Sequence, residues 1–184
     1  MALAALSGDE QRILFTQLCN VFEPRRAVAL SSASNELRTA TEVLLQQLRS
    51  DHDAAIALCL KVGLRSCKEL REATSIDWWN KGLTATDLAL LGTLGSVLPA
   101  LERLWLLENS ASPDGVQRLA AGLGVGALPA VTHFQLTGMH VGDAGAEALA
   151  AALGRGALPR LKILVLTNAA IGDAGLVALA PALR

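Results

Sequence analysis

From Leu98 onward, apolar positions recur with a period of thirty residues. Leu101, Val131 and Leu161 correspond, as do Leu104, Phe134 and Leu164, and then Leu106, Leu136 and Leu166. This first half of each unit alternates with period two, the pattern of a strand with one face on a core. Ala111, Val141 and Ile171 follow, then Gly115, Gly145 and Gly175, then Leu119, Leu149 and Leu179, and last Leu123, Leu153 and Leu183. That second half has helical spacing. Each unit predicts strand, turn, helix, turn, and none can bury its apolar side alone, so the units must stack. With the spacing shortened by two, Ile76, Trp78, Leu83 and Leu91 match Leu104, Leu106, Ala111 and Leu119. We therefore expect a degenerate first repeat at 73–97, adapted to close that end, and further repeats at 98–127, 128–157 and 158–184.

Residues 1–72 show no strand pattern and form an α-helical segment of four or five helices. Ser7 with Glu10 is a capping box ahead of Ile13, Leu14, Leu18, Val21 and Phe22, which share a helical face. Pro24 ends that helix and can open the next. "NELRTATEVLLQQLR" reads as an amphipathic helix ending near Ser50. Ser50 with Asp53 restarts a helix that Gly63 ends, and Ser66 with Glu69 caps the short "CKELREA".

Composition narrows the function. Sixteen basic and seventeen acidic residues are evenly spread, leaving no basic stripe for nucleic acid or an anionic membrane. The uncharged stretch from Leu119 to Gly142 is interrupted by Pro129, His133, Gln135, His140 and several glycines, so we expect no membrane span. Three cysteines, Cys19, Cys59 and Cys67, form no disulfide framework and point to an intracellular reducing compartment, cytoplasmic or nuclear, with an organelle left open. The N-terminus has no basic n-region of a secretory signal. His52 and Cys59 lie seven apart, wider than zinc-ligand pairs usually stand. "GLGVGALP" recurs as "GRGALP" and is a repeat turn, not a phosphate cradle. Asp143 and Asp173 recur one period apart and read as structural, near a helix start. No nucleophile, base and orienting residue group together. We expect no cofactor, no metal and no enzyme.

The spacing Leu101-x2-Leu104-x-Leu106-x2-Asn109, with the later "IGDAG" of Ile171 to Gly175, resembles a leucine-rich repeat of the ribonuclease-inhibitor type. The resemblance covers 73–184 and implies an α/β solenoid, with strands on the concave side and helices on the convex. The asparagine-ladder position holds Asn109, then Met139 and Ala169, so inner-turn hydrogen bonding must differ, with Asn168 placed to compensate in part. Upstream, "ILFTQLCNVFEPRRAVALSSASNELR" resembles an F-box, the helical motif that docks on the adaptor subunit of cullin-based ubiquitin ligases. The residues that carry this are Leu14, Leu18, Phe22, Pro24, Arg25, Leu30, Ser31, Ser34 and Leu37. The tryptophan usual near the end of that motif is missing.

By the leucine-rich-repeat resemblance, the residues between the strand leucines face the concave surface. These are Arg103, Trp105 and Leu107; His133, Gln135 and Thr137; Ile163, Val165 and Thr167; and Ser75, Asp77 and Trp79 from the first unit. They change chemically from unit to unit while the leucines do not. Trp105, beside Leu107 and near Trp79, is the foremost candidate anchor. The alternative is that Trp105 and Trp79 pack under the N-terminal helices. The last unit would expose apolar surface on one side, and we expect a partner or further sequence to cover that end. The expectation is a protein-interaction module. Either it is an adaptor docking through Leu14, Leu18, Pro24 and Leu30, or it is an accessory subunit of a larger assembly.

Overall fold

The computed structural model describes residues 6–109 and 113–183. Ala111 of the repeat alignment lies outside them. The chain forms two compact units, Met1–Ala57 and Leu58–Arg184.

The first unit is helical: α1 (Gly8–Leu18), α2 (Pro24–Ser31) and most of α3 (Asn35–Val62). The capping box is formed: Ser7 Oγ accepts from Glu10 N–H, and Glu10 Oε2 accepts from Ser7 N–H at 2.8 Å. Pro24 occupies the first turn of α2, where its missing N–H costs nothing. Two expectations need correction. The buried face of α1 is that of Gln11 and Phe15, while Ile13 and Leu18 are exposed. The predicted break at Ser50 does not occur, and α3 runs unbroken for 28 residues. No Gly or Pro lies between Asn35 and Val62, and Gln47 donates to Asp51 one turn on, at 2.8 Å. The helix ends at Gly63 (φ +90), where Leu64 N–H reaches Cys59 O and Gly63 N–H reaches Leu60 O, a Schellman closure.

The second unit opens with the end of α3 and α4 (Cys67–Glu72), then alternates strand and helix: β1 (Ser75–Asp77), α5 (Ala85–Leu94), β2 (Arg103–Trp105), α6 (Pro113–Gly122), β3 (His133–Gln135), α7 (Gly142–Gly154), β4 (Ile163–Val165) and α8 (Asp173–Leu179). The four strands make one parallel sheet in chain order. Ile76, Leu104, Phe134 and Leu164 stand in register, as the repeat alignment requires, including its shortened first step. Consecutive helices α5 to α8 pack side by side on the sheet's other face. The fold is thus an α/β leucine-rich array preceded by helices.

Glycines set the helix spacing. A Cβ on Gly92 of α5 would collide with Leu119 O, and one on Gly122 of α6 would lie 2.9 Å from Thr93 N. Each of these glycines faces the other's backbone.

Turn chemistry varies by unit. Asn109 is buried and fully used: Oδ1 accepts from Lys81 N–H and Leu83 N–H (3.1 Å each), and Nδ2 donates to Trp78 O (2.8 Å) and Leu107 O (3.1 Å). It ties the first repeat's turn to the second. Met139 and Ala169 at the same position are simply buried. Asn168 does not compensate: its side chain is exposed and makes no hydrogen bond among the described residues. Its backbone instead sits at φ 54, matching Asn80 (49), Glu108 (51) and Gly138 (68) one period apart. That position requires a left-handed turn, which Asn and Gly tolerate best. A Cβ on Gly138 would also strike the Glu108 carboxylate.

Asn109→Ala strands three backbone groups, since Leu107 O keeps Asn80 N–H, at about 1–3 kcal/mol each when buried, so a loss of about 3 kcal/mol or more is expected in urea unfolding. Asn168→Ala, at a strained but solvated turn, should cost only about 1 kcal/mol. Equal losses would show that Asn109 carries no special load.

Candidate functional site

Parallel strands lie about 4.8 Å apart, so register places side chains in rows on the sheet face away from the helices. One row is Ser75, Arg103, His133 and Ile163, and the next is Asp77, Trp105, Gln135 and Val165. A third, just past the strand ends, is Trp79, Leu107, Thr137 and Thr167. There the ladder continues through Asn80 N–H to Leu107 O, Glu108 N–H to Thr137 O and Gly138 N–H to Thr167 O. By this register the face residues read from the sequence fall in three rows.

The chemistry changes across it. Trp79 is 60 % exposed, and its backbone N–H donates to Asp77 Oδ1 at 3.2 Å, a local turn that fixes where the side chain starts. Trp105 and Leu107 are half-buried, and Trp78 lies in the core. In the middle, Gln135 Nε2 donates to Thr137 Oγ1 at 2.9 Å, and Thr132 Oγ1 lies 2.8 Å from His133 Nδ1. At the β4 end, Ile163 is 45 % exposed and Val165 half-buried, so the face turns apolar. The face runs from acid and indole, through arginine and neutral polar groups, to aliphatic.

The β4 end also differs from the interior. Leu101 and Val131 are buried but Leu161 is half-exposed; Leu104 and Phe134 are buried but Leu164 is not; and Leu183, in a 3-10 turn after α8, is 54 % exposed where Leu123 is buried. A groove of about 670 Å³ runs here between Leu153, Leu158, Leu161, Leu164 and Leu183.

Asp143 holds a contact the sequence reading placed too locally. From the first turn of α7, its Oδ1 accepts from Gly172 N–H (2.7 Å) and Gly175 N–H (3.1 Å), capping α8 of the next unit. The available signal was an aspartate one period before a Gly-x-x-Gly.

In the helical unit, Leu18 is exposed while Leu14, Pro24 and Leu30 are half-buried. A groove of about 380 Å³ lies beside Pro24, Arg25, Val28, Arg49, His52 and Asp53. His52 Nδ1 is 2.6 Å from Val21 O and so ties α3 to the loop before α2. Among the described residues, no three His, Cys, Asp or Glu side chains gather as metal ligands, and no helix is long and apolar enough to cross a membrane.

Against known proteins, the leucine-rich-repeat family model matches residues 158–180, the strand, turn and helix of the last unit. No curated protein matches the chain. Leucine-rich repeats are, as a class, protein-interaction modules.

The thiols give a checkable property. Cys59 Sγ lies 4.0 Å from Cys67 Sγ, both free and buried. Burial, then the neighbouring Cys67, pushes the Cys59 thiol up to about 12, and burial also raises Cys67. Thiol-specific alkylation of the native chain near neutral pH should therefore label half-buried Cys19 before either. The unfolded thiol ionises near 9.0 and the folded one near 12, so the stability Cys59 contributes is full below pH 9 and is lost as pH climbs from 9 toward 12. Alkaline unfolding that Cys59→Ala leaves unchanged in that window contradicts this.

Proposed function

We propose that the repeat array is a non-catalytic protein-interaction module, with repeats of the ribonuclease-inhibitor type, that holds a protein partner on the open face of its sheet. One observation carries the reading. Four strands in register keep aliphatic or aromatic core residues at one parity, while the other parity presents Asp77, Arg103, Trp105, His133, Gln135, Ile163 and Val165 on a single surface. Trp105 is the central anchor, with Trp79 and Leu107 beside it and Thr137 and Thr167 on the rim. Indoles partly freed from a core tend to dominate binding energy because they bury large area at low entropic cost. The partly exposed leucines at the β4 end support cover there by a partner or by further sequence of the same protein. The free, buried thiols support residence in a reducing compartment.

A second reading concerns the helical unit. Its F-box-like stretch leaves Leu18 exposed, with Leu14, Pro24 and Leu30 reachable, which supports an adaptor that joins a substrate on the repeats to a ubiquitin-ligase core. If the protein is instead an accessory subunit, a fixed set of neighbours without a cullin accompanies it.

Affinity purification from native cells, with mass spectrometry, separates these two readings. For the face itself, Trp105→Ala should weaken the recovered partner by about 2 kcal/mol or more while leaving the unfolding midpoint nearly unchanged. Unfolding of the variant would assign Trp105 to the core; full binding would remove it from the site.

A further inference from the structure

We propose that Cys59 and Cys67 are a modification site, at which hydrogen peroxide oxidises the two thiols to a disulfide that fastens α4 to the end of α3. The site is independent of what the repeats hold and of whether the helical unit is an adaptor.

A short turn brings the pair together. Cys59 stands in the last turn of α3, and Cys67 is the first residue of α4. Between them Gly63 takes a φ of +90, Leu64 N–H bonds back to Cys59 O at 2.8 Å, and Ser66 Oγ accepts from Glu69 N–H to start α4. The two sulfurs end 4.0 Å apart, with the Cys59 S–H donating to Cys67 Sγ. Both are free, and both lie in the second compact unit, whereas Cys19 lies in the first. A disulfide is about 2.0 Å long, so the sulfurs must close by about 2 Å, which rotation of the two side chains and a small shift of six-residue α4 can supply. The linked segments belong to the cover of the β1 end. Leu70, in the same helix as Cys67, is buried, and Lys61, two residues after Cys59, pairs with Asp87 at the start of α5. The disulfide therefore tightens that cover.

Access and local charge give the two thiols different parts. Cys67 is 7 % exposed and Cys59 1 %. Burial raises both thiols; Cys67 and then Glu69 further oppose a thiolate at Cys59, whereas the Cys59 S–H favours one at Cys67. Cys67 therefore attacks first. Its sulfur takes one peroxide oxygen, the O–O bond breaks, and the departing hydroxide leaves as water with the thiol's proton, so that Cys67 becomes a sulfenic acid. Cys59 then attacks that sulfur. The S–S bond forms as the S–O bond breaks, and the second hydroxide leaves as water with the Cys59 proton. Two thiols pass two electrons to one peroxide and yield one disulfide and two waters. Peroxide is small enough to reach a nearly buried sulfur, where a larger disulfide oxidant is not. Because both thiols stay protonated near neutral pH, the first step is slow, and the pair records sustained rather than brief oxidation.

The test treats the native 184-residue chain with hydrogen peroxide, blocks the remaining thiols and digests it with trypsin without reductant. Cleavage after Lys61 and Arg65 puts the two cysteines on separate peptides, so mass spectrometry reads the link directly. A Cys59–Cys67 link that dithiothreitol reverses is expected. The oxidised chain should also unfold at a higher urea concentration than the reduced one, measured on Cys19→Ser so that no two chains are linked. Dimedone added with the peroxide should be captured at Cys67, and Cys59→Ala should raise that capture at least about threefold, since nothing then resolves the sulfenic acid. Should that variant not fold, the position of the dimedone adduct in the unchanged chain still reads which thiol attacks. Both thiols remaining free at roughly ten times the exposure that consumes Cys19 overturns the proposal. So does a link from either of them to Cys19 in the native chain, or an unchanged urea midpoint. Capture at Cys59 instead of Cys67 overturns the assigned roles.

Discussion

The constraint on which this array depends is that each unit satisfies its predecessor and is satisfied by its successor. A three-residue strand with one helix cannot bury its own leucines or pair both edges of its backbone. The series Leu106 to Gln135 and Leu136 to Val165 shows how the next unit completes each one. Burial follows: the layer of Leu104 and Phe134 is closed on both sides, that of Leu164 on one. At the other end, Ile76 is covered although β1 is also an outer strand of the sheet. Leu70 and Cys67 of α4, just before it in the chain, are buried too, and Lys61 Nζ at the end of α3 sits 2.6 Å from Asp87 Oδ2 at the start of α5. The β1 end of the array is therefore covered, while Leu161, Leu164 and Leu183 at the β4 end stay partly exposed.

Within that constraint the units are joined by different chemistry. Asn109 links the first two turns by three hydrogen bonds; Met139 and Ala169 leave later turns to backbone contacts such as Gly142 N–H to Ala169 O. Asp143 ties α7 to α8, and the glycines at 92 and 122 bring α5 and α6 close. Because the scaffold is held from behind and between, the strand residues on the open face need no fixed identity. That freedom lets Asp77, Trp105, Gln135 and Val165 differ along a single row.

The strand register was legible in the sequence because both periods, two within a strand and thirty between units, fall on the same leucines. Even the shortened first step was readable from Ile76 and Trp78. The position of Asn168 was not, because its role is a left-handed φ shared with Glu108 and Gly138, three residue types with no common side-chain chemistry. The bonds of Asp143 were missed for a related reason: its partners are backbone amides a full period away. In the helical unit, periodicity misplaced the buried face of α1 because Phe15 outweighs the leucines around it. Ser50 looked like a cap, but no Gly or Pro lies between Asn35 and Val62 and the helix runs through it. The face residues were read from the leucine-rich-repeat resemblance and the strand alternation, neither of which says what they hold.

Native-state hydrogen exchange of the free chain tests the successor principle most directly, since it reads each amide against its own opening free energy. The amides of Leu106 and Leu136, bonded to the following strand, should be strongly protected, and that of Leu166 should exchange at nearly the rate of an open backbone. Protection of Leu166 equal to that of Leu136 would contradict the account.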